Sequence, residues 1–258
     1  MKEKITSTQN ETIKKIRALK QRKFRKETGL FLAEGRKCAE EALRYANVTF
    51  FCTVNEADPL LPLINSEKTE ILLVSPEVLA SIAEVKTPQE CIAVVQKESA
   101  VFVPETYQEI IVFLEDVSDP ANVGAIIRTA DAVAASAVLF SKTTADYTSP
   151  RAVRAAMGSG FHLPMVEIDE KHEVITQLKE SGFWVVGTHL AGEENAPALK
   201  ASKTCLVVGN EARGLSEEMA SICDQLLKIP MYGKAESLNV SVATGIMLYQ
   251  LKNETLQK

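Results

Sequence analysis

The chain has no apolar run that approaches the length of a membrane span, and its first residues are charged rather than signal-like. A cytoplasmic, membrane-free protein is the expectation. Its five cysteines, Cys38, Cys52, Cys91, Cys205 and Cys223, are scattered without a C-x-x-C pair. Three lie in apolar runs, so they read as reduced core thiols rather than a disulfide framework. The three histidines, His162, His172 and His189, have no metal-ligand spacing, and no metal is expected. The one glycine cluster, Gly158-Ser159-Gly160, lacks G-x-G-x-x-G spacing and precedes no helical pattern, which argues against a nicotinamide dinucleotide fold. There is no internal repeat and no low-complexity segment.

What is present is a globular composition, 46% hydrophobic over 258 residues, enough for one or two domains. Charge is uneven. Residues 1–27 hold ten Lys or Arg against three Glu, a balance of +7, while the whole chain carries −5 and the remainder therefore −12. A basic stretch on an acidic body suits a polyanionic partner, with Arg22, Lys23, Arg25 and Lys26 as contacts. A solvated helix over Thr8–Lys23 with a narrow stripe of Ile13, Ile16 and Leu19 fits the charge equally well. Strands are expected at Leu30–Ala33, Val48–Val54, Ile71–Val74 and Cys91–Gln96, with helices from Gly35 to Ala46 and from Pro76, where Ser75-Pro76 is a start signal. This predicts a small α/β unit over 28–97 after a basic segment 1–27. A linker follows at 98–108, then a second domain over 109–258.

The second domain alternates strands and helices, which predicts a parallel, doubly wound sheet. Ile110–Leu114 is a strand. Asp119 and Pro120 then cap and open a helix burying Val123, Ile126, Ile127, Ala130 and Ala134. Gly124 and Arg128 share a face of it, with Asn122 in the first turn, and a helix N-terminus beside an Arg suits an anion. Arg151 and Arg154 sit three apart on a short helix. Runs at Leu206–Val208 and Leu226–Ile229 read as buried strands that stop at turn residues. The first stops at Gly209-Asn210-Glu211. The second stops at Pro230, before a polar loop and a helix with Val240, Ala243, Thr244, Met247, Leu248 and Leu251 on one face. Ser237 and Asn239 stand at that helix entrance as caps. Ligands of open α/β sheets bind beyond the carboxyl ends of strands, so Glu211, Ser237 and Asn239 mark a site, with glycines allowing close backbone approach.

Three stretches, NVGAIIRTADA (Asn122 to Ala132), VVGNEARGLSEE (Val207 to Glu218) and IPMYGKAESLNVSVATGIMLYQ (Ile229 to Gln250), resemble the three motifs of the SpoU/TrmH family of the SPOUT superfamily. RAAMGSGFHLP is similar to the segment between the first two. The resemblance covers the chain from about Ile110 onward. The N-terminal α/β unit is similar to the ribosomal-protein-like substrate-binding domain many members carry. Family membership implies an S-adenosylmethionine-dependent RNA ribose 2′-O-methyltransferase, a deep trefoil knot that chain-topology rules alone would exclude, and a homodimer. It implies adenosine on the backbone around Gly209, Ile229 and Leu238, and a polar set of Asn122, Arg128, Glu211, Ser237 and Asn239, with Arg128 as activator. Arg151 and Arg154 join the basic stretch as RNA contacts, and ribosomal RNA is the expected substrate. Transfer RNA as substrate, a base methyltransferase and a silent RNA-binding protein on the same fold are the alternatives.

Overall fold

Leu32, Ile92 and Val94 fall into one buried cluster, and Phe31, Ala33, Cys91, Ala93 and Val95 into another. Neighbouring strand residues point to opposite faces, so this sheet is covered on both sides. The structure is a computed structural model that describes residues 4–98, 100–194 and 202–256. They fall into two units, one holding the residues up to Glu98 with Asp146–His162, the other the residues to Ala145 and from Leu163 onward.

The first unit runs α1 (Glu11–Ala18), α2 (Arg22–Thr28), β1 (Leu30–Glu34), α3 (Arg36–Tyr45), β2 (Val48–Thr53), β3 (Glu70–Leu73), α4 (Pro76–Ile82) and β4 (Cys91–Gln96). Its sheet order is β1-β4-β2-β3, with β4 antiparallel to both neighbours and β3 parallel to β2. Helices α1 and α4 cover one face through Ile13, Ile16, Leu19, Val78, Leu79 and Ile82. Helix α3 covers the other through Cys38, Ala39 and Ala42, joined by Val153 of a much later helix, α6 (Pro150–Ala156).

The single basic helix expected over Thr8–Lys23 is two helices, and its apolar stripe is core: Ile13, Ile16 and Leu19 are each at most 2% exposed. Arg25 explains the break. Its Nη1 donates to the carbonyls of Leu19 and Lys20, at 2.9 and 2.8 Å, using acceptors that a continuing helix would have paired. Its Nε and Nη2 donate to Asp146 Oδ2, at 3.2 and 2.7 Å. Burial raises the Asp146 carboxyl, but hydrogen bonds from Thr148 and Arg25 outweigh it and hold it below its ordinary range.

The second unit is built on a fully parallel sheet of order β10-β8-β9-β5-β6-β7. Its elements are β5 (Ile110–Leu114), α5 (Pro120–Ala132), β6 (Ala137–Ser141), β7 (Met165–Ile168), α7 (Lys171–Glu180), β8 (Phe183–Glu193), β9 (Lys203–Val208), α8 (Glu217–Ile222), β10 (Gln225–Leu227) and α9 (Val240–Leu256). All five residues of β5 and of β6 are buried, the continuous apolar pattern of strands covered on both faces. Asp119 caps α5 by accepting from Ala121 N at 2.8 Å, with Pro120 as first helical residue. Ala134, expected in the apolar face of α5, is exposed beyond the helix end at φ +55°; Val133 and Ala135 are buried instead. From α9, Thr244, Met247, Leu248 and Leu251 are buried as the periodicity indicates. Among the described residues no helix is long and apolar enough to cross a membrane.

Candidate active site

The chain leaves β5 for β6 on one side, and β9 returns to pair on the other side of β5. Such a reversal of strand order opens a crevice at the carboxyl ends of the strands. There the loops after β5 and β9 meet. Glu115 N donates to Val208 O at 2.8 Å, extending the ladder by one bond. The buried Glu115 carboxylate accepts from Ser216 N and Oγ, at 2.9 and 2.7 Å, and from Lys171 Nζ at 2.5 Å, which ties the far end of the β9 loop down.

Glu211 is the hub of the crevice. Its Oε2 accepts from Ser118 N at 3.0 Å and Ser118 Oγ at 2.8 Å. Its Oε1 accepts from Asp119 N and from Asn122 Nδ2, both at 3.0 Å. Partial burial raises the carboxyl, yet these donors, Asn122 first and then the backbone of Ser118 and Asp119, pull it down to about 2. The carboxylate is therefore ionised at neutral pH. The relay continues, because Asn122 Oδ1 accepts from Asn239 Nδ2 at 3.0 Å. Asn239 also caps α9, its Oδ1 accepting from Ser241 N at 2.9 Å, Ser241 Oγ at 2.6 Å and Val242 N at 3.3 Å. Asn122 in the first turn of α5, Glu211 in the loop after β9 and Asn239 at the entrance of α9 thus form one chain of hydrogen bonds.

Gly209 is buried, and the reason differs from the expected approach of a ligand. A Cβ there would lie 2.2 Å from Gly214 C, 2.3 Å from Leu215 N and 2.4 Å from Gly214 O. Its own loop folds back on it. Gly233 carries no such constraint, since a Cβ there meets nothing within 4 Å among the described residues. Ile229 lies past the end of β10 rather than within it, and it and Leu238 are half-buried. Ser237 is exposed and forms no hydrogen bond among the described residues. Arg128 is exposed on α5, and its side chain makes no hydrogen bond or ion pair among the described residues.

The basic candidates lie in the first unit. Arg22, Lys23 and Lys26 are exposed on α2, with Lys23 3.9 Å from Glu27. Arg25 is the exception: 6% exposed and bonded to Asp146, it is a structural residue rather than a surface contact. Arg151 is exposed, and Arg154 is half-buried 3.4 Å from Glu34.

Sequence reasoning passed over Ser118, Asp116 and Asn210. The signal for Asn210 was local: an Asn at the start of a Gly-bounded turn favours an Asx turn. Its Oδ1 accepts from Ala212 N at 3.0 Å and Arg213 N at 3.2 Å. Ser118 had no such signal, because its partner is ninety-three residues away.

Residues 109–249 match the SpoU rRNA Methylase family, and residues 10–93 match an MRM3-like substrate binding domain. The chain is 32% identical over 249 residues to the 23S rRNA (guanosine(2553)-2′-O)-methyltransferase RlmP of Bacillus subtilis, covering 96% of this chain and 98% of that one. A crystal structure of an AdoMet-bound rRNA methyltransferase from Sinorhizobium meliloti has a TM-score of 0.87, 33% identity and 97% coverage of both chains. The SpoU methyltransferase AviRb from Streptomyces viridochromogenes, in complex with the cofactor AdoMet, has a TM-score of 0.83 at 28% identity, covering 96% of this chain and 99% of that one. The class is that of RNA methyltransferases that use S-adenosylmethionine (AdoMet). Within it, the chain belongs to the SpoU rRNA methylase family.

Proposed function

We propose that the chain transfers a methyl group from S-adenosylmethionine to a ribose 2′-hydroxyl of ribosomal RNA in the cytoplasm. The observation that carries this reading is the relay Glu211–Asn122–Asn239, which joins all three family motifs at one crevice. The names of the relatives, RlmP above all, favour ribosomal over transfer RNA.

The residues present fit the cofactor. Lys228 N is paired with Glu193 O, and Asn239 O accepts from Ala243 N, but among the described residues the backbone of 229–238 makes no hydrogen bond. That segment therefore offers N–H and C=O groups beside the half-buried apolar side chains of Ile229 and Leu238. Apolar walls with a few backbone donors and acceptors suit an adenosine. Bound there, S-adenosylmethionine supplies a methyl group already activated by its sulfonium. The chain then has to orient a 2′-hydroxyl in line with it and see the proton away. Gly209 shapes the floor by letting its loop close. The family's deep trefoil knot, formed by the C-terminal segment, belongs to this proposal.

Arg128 acts as a charged donor. A guanidinium stays protonated, so it orients a phosphate and lowers the hydroxyl's pKa rather than taking its proton, which leaves to phosphate or water. Glu211 is not the base either: it titrates near 2, and both its oxygens are engaged. It holds Asn122, which with Ser237 and Asn239 shapes the loop around the nucleotide. The RNA-binding domain takes in the basic stretch of α1 and α2, whose Ile13, Ile16 and Leu19 are part of its core, together with Asp146–His162. Residues 98–108 link it to the catalytic domain, with Arg22, Lys23, Lys26, Arg151 and Arg154 toward RNA.

The outer face of α9 presents Val242, Ile246 and Tyr249, exposed beside Ala125 and Thr129. An apolar strip of this kind supports a twofold dimer through the C-terminal domain, and sedimentation velocity that shows a concentration-independent monomer would exclude it. The function itself is tested by mapping ribose methylation across total RNA with and without the gene. One ribosomal 2′-O-methyl mark is expected to vanish and return on complementation. A mark lost only from transfer RNA, or from a base, overturns the reading.

A further inference from the structure

We infer that Asn210 is a positioning residue, latching the loop after β9 onto the main chain at the end of β5 and so setting where Glu211 stands against Asn122. This rests on the function proposed above. Asn210 Nδ2 donates to Asp116 O at 2.8 Å, across ninety-four residues of sequence. The same side chain closes its own turn through Oδ1. Its main chain exchanges a pair of bonds with Gly214, N to O at 2.9 Å and O from N at 2.8 Å. One side chain therefore both shapes the turn and anchors it, and the next residue is Glu211.

The anchor point is itself built. Asp116 is in the left-handed region at φ +61°, which few non-glycine residues adopt. Its N–H donates to Ser141 Oγ at 3.0 Å and Thr144 Oγ1 at 3.1 Å. Its carboxylate accepts from Ser141 Oγ at 2.8 Å and from Thr143 Oγ1. Thr144 Oγ1 in turn donates to Leu114 O at 2.8 Å. Four hydroxyl contacts at the end of β6 thus hold a strained residue whose carbonyl is left for Asn210. Strain of this kind persists where the surroundings over-determine it, and it clusters at functional sites. Asn210 Nδ2 also lies 3.5 Å from Glu211 Oε2, so an acid at 210 would put like charges side by side.

The test uses the full chain with Asn210→Asp and Asn210→Ser. Both keep an oxygen that can close the turn; the Asp carboxylate has no donor for Asp116 O, and the Ser hydroxyl ends one bond short of the position from which Nδ2 reaches it. Without cofactor, the side-chain amide resonances of Asn122 are expected to shift in both variants. In single-turnover methylation of the RNA, the rate is expected to fall about tenfold or more, since misplacement on the ångström scale has effects of that order. The Kd for S-adenosylmethionine is expected to stay within about twofold. If Asn122 resonances and the rate are unchanged in a folded variant, the latch is refuted. If neither variant folds, hydrogen exchange of the Asn210 side-chain amide in the wild type decides: protection supports the latch and free-amide exchange overturns it. A wild-type chain that methylates no RNA defeats the functional reading alone, because the resonance and exchange measurements still judge the latch.

Discussion

Gly209→Ala puts the packing of the site loop to a quantitative test. The new Cβ would sit 2.2–2.4 Å from three backbone atoms of Gly214 and Leu215. Backbone cannot rotate aside as a side-chain tip can, so the loop must open. Opening strains or breaks the two bonds between Asn210 and Gly214, each worth about 1 kcal/mol. Overpacking itself costs about 1–3 kcal/mol. With both bonds lost, the expected loss is about 3–5 kcal/mol, which for a domain of this size lowers Tm by roughly 6–20 °C. Gly233→Ala is the control: among the described residues nothing lies within 4 Å of a Cβ there, so its effect should stay within about 0.5 kcal/mol. Thermal melts by circular dichroism measure both, and calorimetric titration should show weaker cofactor binding for Gly209→Ala. If Gly209→Ala melts within about 1 °C of wild type, the loop does not pack as described, and the reasoning fails.

Arg128→Ala should change stability by less than about 1 kcal/mol, since the side chain is exposed. It should slow single-turnover methylation at least about 10²-fold, with little rescue by Arg128→Lys because a point charge cannot replace a planar fork. Removing residues 1–26 would strip Ile13, Ile16 and Leu19 from a core, so it tests folding. The binding test is instead a triple substitution of the exposed Arg22, Lys23 and Lys26 by Ala. It should reduce the salt slope of RNA affinity by about 2, and an unchanged slope means that these charges are only solvated. Glu211 has a folded pKa of about 2 against an ordinary 4.5. Its depressed value means that its contribution to stability is present above pH 4.5 and is lost as pH falls toward 2. The stability difference between wild type and Glu211→Gln should shrink over that interval in denaturant titrations; a constant difference refutes the assignment.

Much of the framework was legible in the sequence because it is encoded locally. Asp119-Pro120 marks the start of α5, Ser75-Pro76 that of α4, and the apolar period of α9 names Thr244, Met247, Leu248 and Leu251, which are buried, with Val240 and Ala243, which are half-buried. The motif stretches alone carry the family resemblance, and the candidate polar residues Asn122, Glu211 and Asn239 with it. Other features depend on partners far along the chain. Arg25 looks like one more surface cation until Asp146 and the carbonyls of Leu19 and Lys20 surround it. Asp146–His162 lies in sequence between strands of the parallel sheet yet packs in the first unit, because Val153 finds its apolar neighbours there.

The sequence by itself determined most of the elements, the caps Ser75, Asp119 and Asn239 and most of the buried faces, since these follow from spacing along a few turns or strand residues. It did not separate α1 from α2, and it offered Ser237 as a cap and Ala134 as a buried residue that the fold leaves exposed. Only the tertiary structure decided that Gly209 is glycine for the sake of Gly214, that Asn239 meets Asn122 across 117 residues, and that Asn210 reaches Asp116. The order β10-β8-β9-β5-β6-β7 brings those loops together. That order is set by long-range strand pairing and burial, for which no local pattern is a code.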